Sequence, residues 1–353
     1  MEWGECWLAP APVPRELAAD LKRRMGGIVP LWVPRLASVP WVVRANTCTA
    51  AERVAFMPVG LWDLIGFVVS QDNSCRYCYG MTRTILKVLG YRDERIDRIE
   101  RDVSLAELTA AEQAALEFAR KLSHANPPPT PSDRAALGRV GLERSAVAEI
   151  AFVAAFHGFS IRVATSFAIP PEPFERFAVN PIGWLMRPII ARQIRGKRVP
   201  RVALPTPNDG PFGRVVAVLE GSPQAGVVRE ILDEAIVSPV LPRRTKLLMF
   251  AVIGRALGSD YVEQEARRGL EMEGLGAADV DASVTNLGSP ALDRRDTLLV
   301  PFAREIVRYN VGALQRRTRE LAGELTSDEV IEAVGIAALA NSIGRLSVLL
   351  ETA

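Results

Sequence analysis

Histidine is almost missing from this chain: His124 and His157 are the only two in 353 residues. A centre built from several imidazoles is therefore excluded, and a zinc site, which needs about four ligands, is poorly supplied. Cysteine is scarce as well. Four in so long a chain are too few for a disulfide framework, so the close pair Cys75 and Cys78 points to redox or metal chemistry. Cys6 and Cys48 carry no comparable signal. An excess of either charge is lacking too: 43 Lys and Arg face 41 Asp and Glu, so no global field argues for nucleic acid or an anionic surface.

Long uninterrupted apolar runs are also wanting. The most apolar stretch, Ala146 to Ile169, is broken by Glu149, His157 and Arg162, which reads as a buried helix and not a membrane span. The opening MEWGECWLAP is acidic and has no basic segment before an apolar run, so a cytoplasmic protein without a transmembrane segment is expected. No period-two strand pattern, Gly-rich phosphate loop or dinucleotide fingerprint occurs, and no cofactor is implied. What is present is a globular balance of 48% hydrophobic and 24% charged residues, in a length that suits two domains.

The chain repeats itself. At a shift of 184, Pro58 falls on Pro242, Leu64 on Leu248, Tyr77 on Tyr261, Gly90 on Gly274, and Phe118-Ala119-Arg120 on Phe302-Ala303-Arg304. After one deletion, at 183, Val147 meets Val330, Glu149 meets Glu332 and Arg162 meets Arg345. Matched Pro, Gly and Tyr are harder to obtain by chance than apolar periodicity alone, so two copies of one all-α fold are expected. Residues 1–50 read as an irregular, Pro-rich arm, 51–172 and 216–353 as the copies, and 173–215 as a Pro- and Arg-rich linker. Within the linker, 182–198 mixes Trp184, Leu185, Ile189 and Ile194 with Arg187, Arg192, Lys197 and Arg198. It reads either as packed on its own domains or as a basic amphipathic contact for a membrane or partner.

In the first copy, apolar spacing over Leu61 to Val69 predicts one helix, and Ser74 is placed as the N-cap of a second that Gly90 ends. Leu108-Thr109-Ala110-Ala111-Glu112 predicts a capped start for the next helix, and Ser132 the cap of a short one before the long apolar helix near 145–168. Leu325-Thr326-Ser327-Asp328-Glu329 starts the last long helix of the second copy. Cys75 and Cys78 then share the first turn of a helix, where unpaired amides favour thiolate and a pair three residues apart can close reversibly, with Arg76 adding positive charge.

The run from Met57 through Gly90, with its Cys-x-x-Cys at a helix start and closing Gly, resembles the alkylhydroperoxidase D and carboxymuconolactone decarboxylase superfamily. The repeat extends the resemblance to most of the chain, as two tandem helical domains forming a pseudo-dimer. The resemblance implies an all-helical fold that oligomerises through its helices, and a peroxidase branch using two cysteines and a proton relay. It makes Cys78 the thiol that meets peroxide and Cys75 the resolving thiol, and it puts the relay acid on Asp63. The family's His falls on Thr82, which cannot act as a base near neutral pH. His157 is a candidate replacement or a core residue, and Asp63 a relay or a surface carboxylate. The second copy has Ser259 and Val262 at the cysteine positions, Ala266 opposite Thr82 and Ala340 opposite His157, so it reads as a built-in partner. A thiol oxidoreductase acting on a small peroxide or a redox partner protein is expected. The alternatives are a non-catalytic helical scaffold and a decarboxylase-like enzyme.

Overall fold

A computed structural model of the chain describes residues 3–25, 29–51, 54–178, 180–196 and 210–350. Among these residues there are nineteen α-helices and no strand. They are α1 (Arg15–Arg24), α2 (Val33–Leu36), α3 (Pro40–Ala51), α4 (Val59–Asp72), α5 (Arg76–Val88), α6 (Asp93–Arg101), α7 (Ala110–His124), α8 (Pro131–Arg139), α9 (Arg144–Ser166) and α10 (Pro173–Phe177). They continue with α11 (Pro181–Gly196), α12 (Gly213–Ala217), α13 (Pro223–Val237), α14 (Arg243–Leu257), α15 (Asp260–Met272), α16 (Ala277–Asn286), α17 (Arg294–Glu305), α18 (Val311–Ala322) and α19 (Ser327–Leu346).

The core is built around α9 and α19, which pack against each other. Both are apolar on every side, and such helices must be enclosed. They are long and apolar enough to cross a membrane, yet 94% of the apolar window in each is buried by the rest of the protein. Several polar groups on them have definite partners, while Arg162 Nη2 and Ser166 Oγ on α9 have none among the described residues. Fully buried Glu149 on α9 accepts the backbone N–H groups of Ala55, Phe56 and Met57. Glu332, at the repeat-related place on α19, accepts from Leu241 N–H and Trp41 Nε1 and faces Lys246 Nζ at 3.5 Å. Arg162 on α9 donates to the Ile306 carbonyl at the end of α17, and Arg345 on α19 donates to the Ser123 carbonyl in the last turn of α7. Each guanidinium thus meets the carbonyl end of a helix from the other half, where a cation is favoured.

Helix order repeats with these contacts. The starts of α4, α5, α6 and α7 precede those of α14, α15, α16 and α17 by 184, and α9 precedes α19 by 183. The same order reaches further back than residue 51, since α3 corresponds to α13 and the two pack together.

From Arg15 onward the described part of residues 1–50 is therefore no irregular arm, since it carries α1, α2 and α3. Pro34 and Pro40 sit in the first turns of α2 and α3, where a missing N–H costs nothing. Trp32, Val33, Leu36, Trp41, Val42 and Val43 are buried in the main core. The described part of the linker is mostly helical. On α11, Ile190, Ala191 and Ile194 pack near Val88, the last residue of α5, and Leu89 just after it, while Ile182, Trp184, Leu185 and Ile189 are each more than half exposed. Lys197 and Arg198 lie outside the described residues.

Candidate functional site

The dithiol is delivered by a tight helix-to-helix turn. Asn73 ends α4, with its side-chain amide donating to Val69 O and Ser123 Oγ. Ser74 follows in the left-handed region at φ 50°, and the Ser74 and Cys75 N–H groups close back onto Gln71 O and Ser70 O. That double closure is a Schellman turn. Ser74 is thus the turn residue, and the N-cap of α5 is Cys75, whose sulfur accepts the Cys78 N–H at 3.3 Å. The sequence reading was one residue off because it sought a hydroxyl cap and the chain caps with sulfur. A similar displacement occurs at α8, which is capped by Thr130 in a reciprocal bond with Asp133 and not by Ser132. Thr109 and Thr326 cap α7 and α19 as expected.

Cys75 and Cys78 lie close together, both as free thiols. Cys75 is fully enclosed and Cys78 is 9% exposed, which makes Cys78 the outer sulfur. Their electrostatics diverge. Burial alone would raise the Cys75 thiol, but donation from the Cys78 thiol, the Cys78 and Tyr77 amides and the Thr165 side chain outweighs it, and the thiol is drawn below its ordinary value. Burial raises Cys78 well above its ordinary value, and its bond to Cys75 and the charge there add to this. When the pair loses one proton, the negative charge therefore rests on Cys75 and the remaining proton on Cys78.

Around the sulfurs stand groups that sequence reasoning missed. Thr165, buried in the last turn of α9, is hydrogen-bonded to the Tyr309 hydroxyl, which comes from the segment between α17 and α18. Tyr77 donates to Glu172, which also accepts the Leu31 N–H, so the entry to α10 and the N-terminal segment both close over α5. Burial raises both the Tyr77 phenol and the Glu172 carboxyl. Arg76 is bound to Glu175 at 3.1 Å, so its charge is held on α10 and not on the sulfurs. Gly80 permits that approach, since a Cβ there would stand 2.4 Å from Glu175 Oε1.

The other expected site residues are placed differently. Thr82 donates to the carbonyls of Cys78 and Tyr79, the ordinary back-bond of a helical threonine. His157 meets the edge of Trp62 and presses on α4 where a Cβ at Gly66 would lie 2.1 Å from Nε2. Burial lowers its pKa to about 4, so the ring is neutral at ordinary pH, and it is not among the groups that chiefly shift either thiol. Asp63 is half-buried on α4. No family model matches the chain, and no curated protein matches it either.

Proposed function

We propose that this protein is a thiol-dependent oxidoreductase of the alkylhydroperoxidase D type, a fused pseudo-dimer of two copies of one helical unit that reduces a small hydroperoxide through Cys75 and Cys78. The observation that carries the reading is the pair itself: two free sulfurs at one helix start, one drawn toward thiolate by four donors and the other kept a thiol by burial and by its neighbour. Cys75 takes the place of the missing histidine. The outer Cys78 gives its proton to Cys75 and attacks the peroxide; an S–O bond forms, the O–O bond breaks, and the alkoxide leaves to take up a proton as alcohol. Cys75 then displaces hydroxide from the Cys78 sulfenic acid, its thiol proton leaving with that hydroxide as water. Two electrons have passed from the pair to the peroxide, and a dithiol reductant restores them. A reducing cytoplasm is the compartment that suits this cycle. His157, neutral and packed on α4, has no part in it.

Peroxide consumption coupled to a dithiol reductant tests the reading. Cys78→Ser is expected to abolish turnover and His157→Ala to leave it nearly unchanged; undiminished turnover in a Cys75→Ser, Cys78→Ser double variant contradicts it. Complete enclosure of Cys75, together with Thr82 in the family's His position, favours a second reading, a helical scaffold that keeps the fold without chemistry.

A further inference from the structure

We infer that α11 is a membrane-docking helix, which lies flat on a lipid surface bearing anionic headgroups. This role does not depend on the dithiol chemistry. α11 rests on the protein by one side only. Ile190, Ala191 and Ile194 pack toward Val88, Leu89 and Tyr91, and the Arg187 guanidinium donates to the Ala178 carbonyl, so the helix is held at a fixed roll. Its opposite side carries Ile182, Leu185, Ile189 and Arg192 at spacings of three and four, one row along the helix, with Trp184 and Pro188 flanking it. Ile182, Trp184, Leu185 and Ile189 are 67%, 65%, 71% and 53% exposed. The other large apolar side chains exposed among the described residues stand singly on separate segments, which is ordinary; four together on a helix of 16 residues are not.

Charge and the aromatic ring select lipid as the occupant. α11 holds Arg187, Arg192 and Arg195, and no Asp or Glu occurs between Glu175 and Asp209, although the whole chain is nearly balanced at +2. A cationic stretch without carboxylates, joined to an apolar row, matches an anionic headgroup layer over an acyl surface. Trp184 sets an indole beside that row, and its ring and N–H suit the boundary between acyl chain and headgroup. Pro188 fixes the depth. It has no N–H to give the Trp184 carbonyl, an omission that is costly inside hydrocarbon but met by water at headgroup level. At 16 residues α11 is also shorter than the roughly 20 that a spanning helix needs, so it lies on a bilayer and does not cross it.

Co-sedimentation of the full-length protein with vesicles tests this, using phosphatidylcholine mixed with phosphatidylglycerol against phosphatidylcholine alone. Binding is expected on the mixed vesicles, weakening as salt is raised, and far less on the neutral ones. Leu185→Gln is expected to weaken it about tenfold and Arg192→Gln about fivefold. Both side chains are exposed, so an unchanged unfolding midpoint shows the fold intact. Val237→Gln changes a comparably exposed residue on α13 and should bind as the parent does. No sedimentation with mixed vesicles, or an equal loss in Val237→Gln and Leu185→Gln, overturns the docking role. So does a concentration-dependent dimer that Leu185→Gln abolishes in a protein without lipid affinity, because that result makes this face a contact with a second copy.

Discussion

The half of the molecule that carries the dithiol and the half that does not share their architecture and differ in what lines the start of one helix. The Schellman turn before α5 recurs before α15, with Ser259 N–H closing onto Gly254 O. The N-cap recurs, with Ser259 Oγ accepting Val262 N–H where Cys75 Sγ accepts Cys78 N–H. Glu149 and Glu332 tether equivalent segments, and Arg162 and Arg345 cross to opposite helix ends. Against that constancy, Leu247, Ala266 and Ala340 stand opposite Asp63, Thr82 and His157. A serine oxygen is a good helix cap, so capping is no reason to place sulfur at residue 75. The second half folds without the dithiol, so the fold itself does not require it.

The comparison can be pressed hardest at the buried glutamates. Glu332→Ala removes the counter-ion of fully buried Lys246, which keeps only the Ala235 and Ser238 carbonyls, and strands the Leu241 and Trp41 N–H groups, so it is expected to cost about 3–5 kcal/mol in urea unfolding. Glu149→Ala strands backbone amides and should cost less; the reverse order would break the parallel drawn between the two copies. A smaller effect comes from His157, which has Ala340 as its counterpart. Its ring is charged below pH 6.5 in the unfolded chain but only below about 4 in the fold. The unfolded state therefore binds more protons in that window, and stability is lost as pH falls through it, by up to about 1.4 kcal/mol per unit. Unfolding curves of His157→Gln should show a shallower acid slope, and an unchanged slope would contradict the assignment. The smallest effect is at the turn: Ser74 is left-handed at φ 50° where the other copy has Gly258 at φ 69°. Ser74→Gly should raise the unfolding midpoint, by about 0.5–1 kcal/mol of stability, and a loss would mean that the serine hydroxyl matters to the turn.

Much of this was legible because it is local. The capping boxes of α7 and α19, the span of α5 and its stop at Gly90 (φ 97°) follow from residues a few positions apart. The N-terminal helices were not legible, because their prolines read as breakers when Pro34 and Pro40 in fact open helices. Nor was the inner surround of the dithiol. Thr165 is one polar residue in an apolar helix, and Tyr309 comes from the other half of the chain, so only tertiary packing brings them to Cys75. His157 misled for the opposite reason: a scarce residue on a core helix looks chemical, yet its partners are an indole edge and a glycine.

The most direct measurement is mass-spectrometric mapping of the thiols after one equivalent of a small hydroperoxide. The account predicts a Cys75–Cys78 disulfide in near-stoichiometric yield, with Cys6 and Cys48 still free. Both sulfurs remaining reduced, in a protein that is folded, would contradict it.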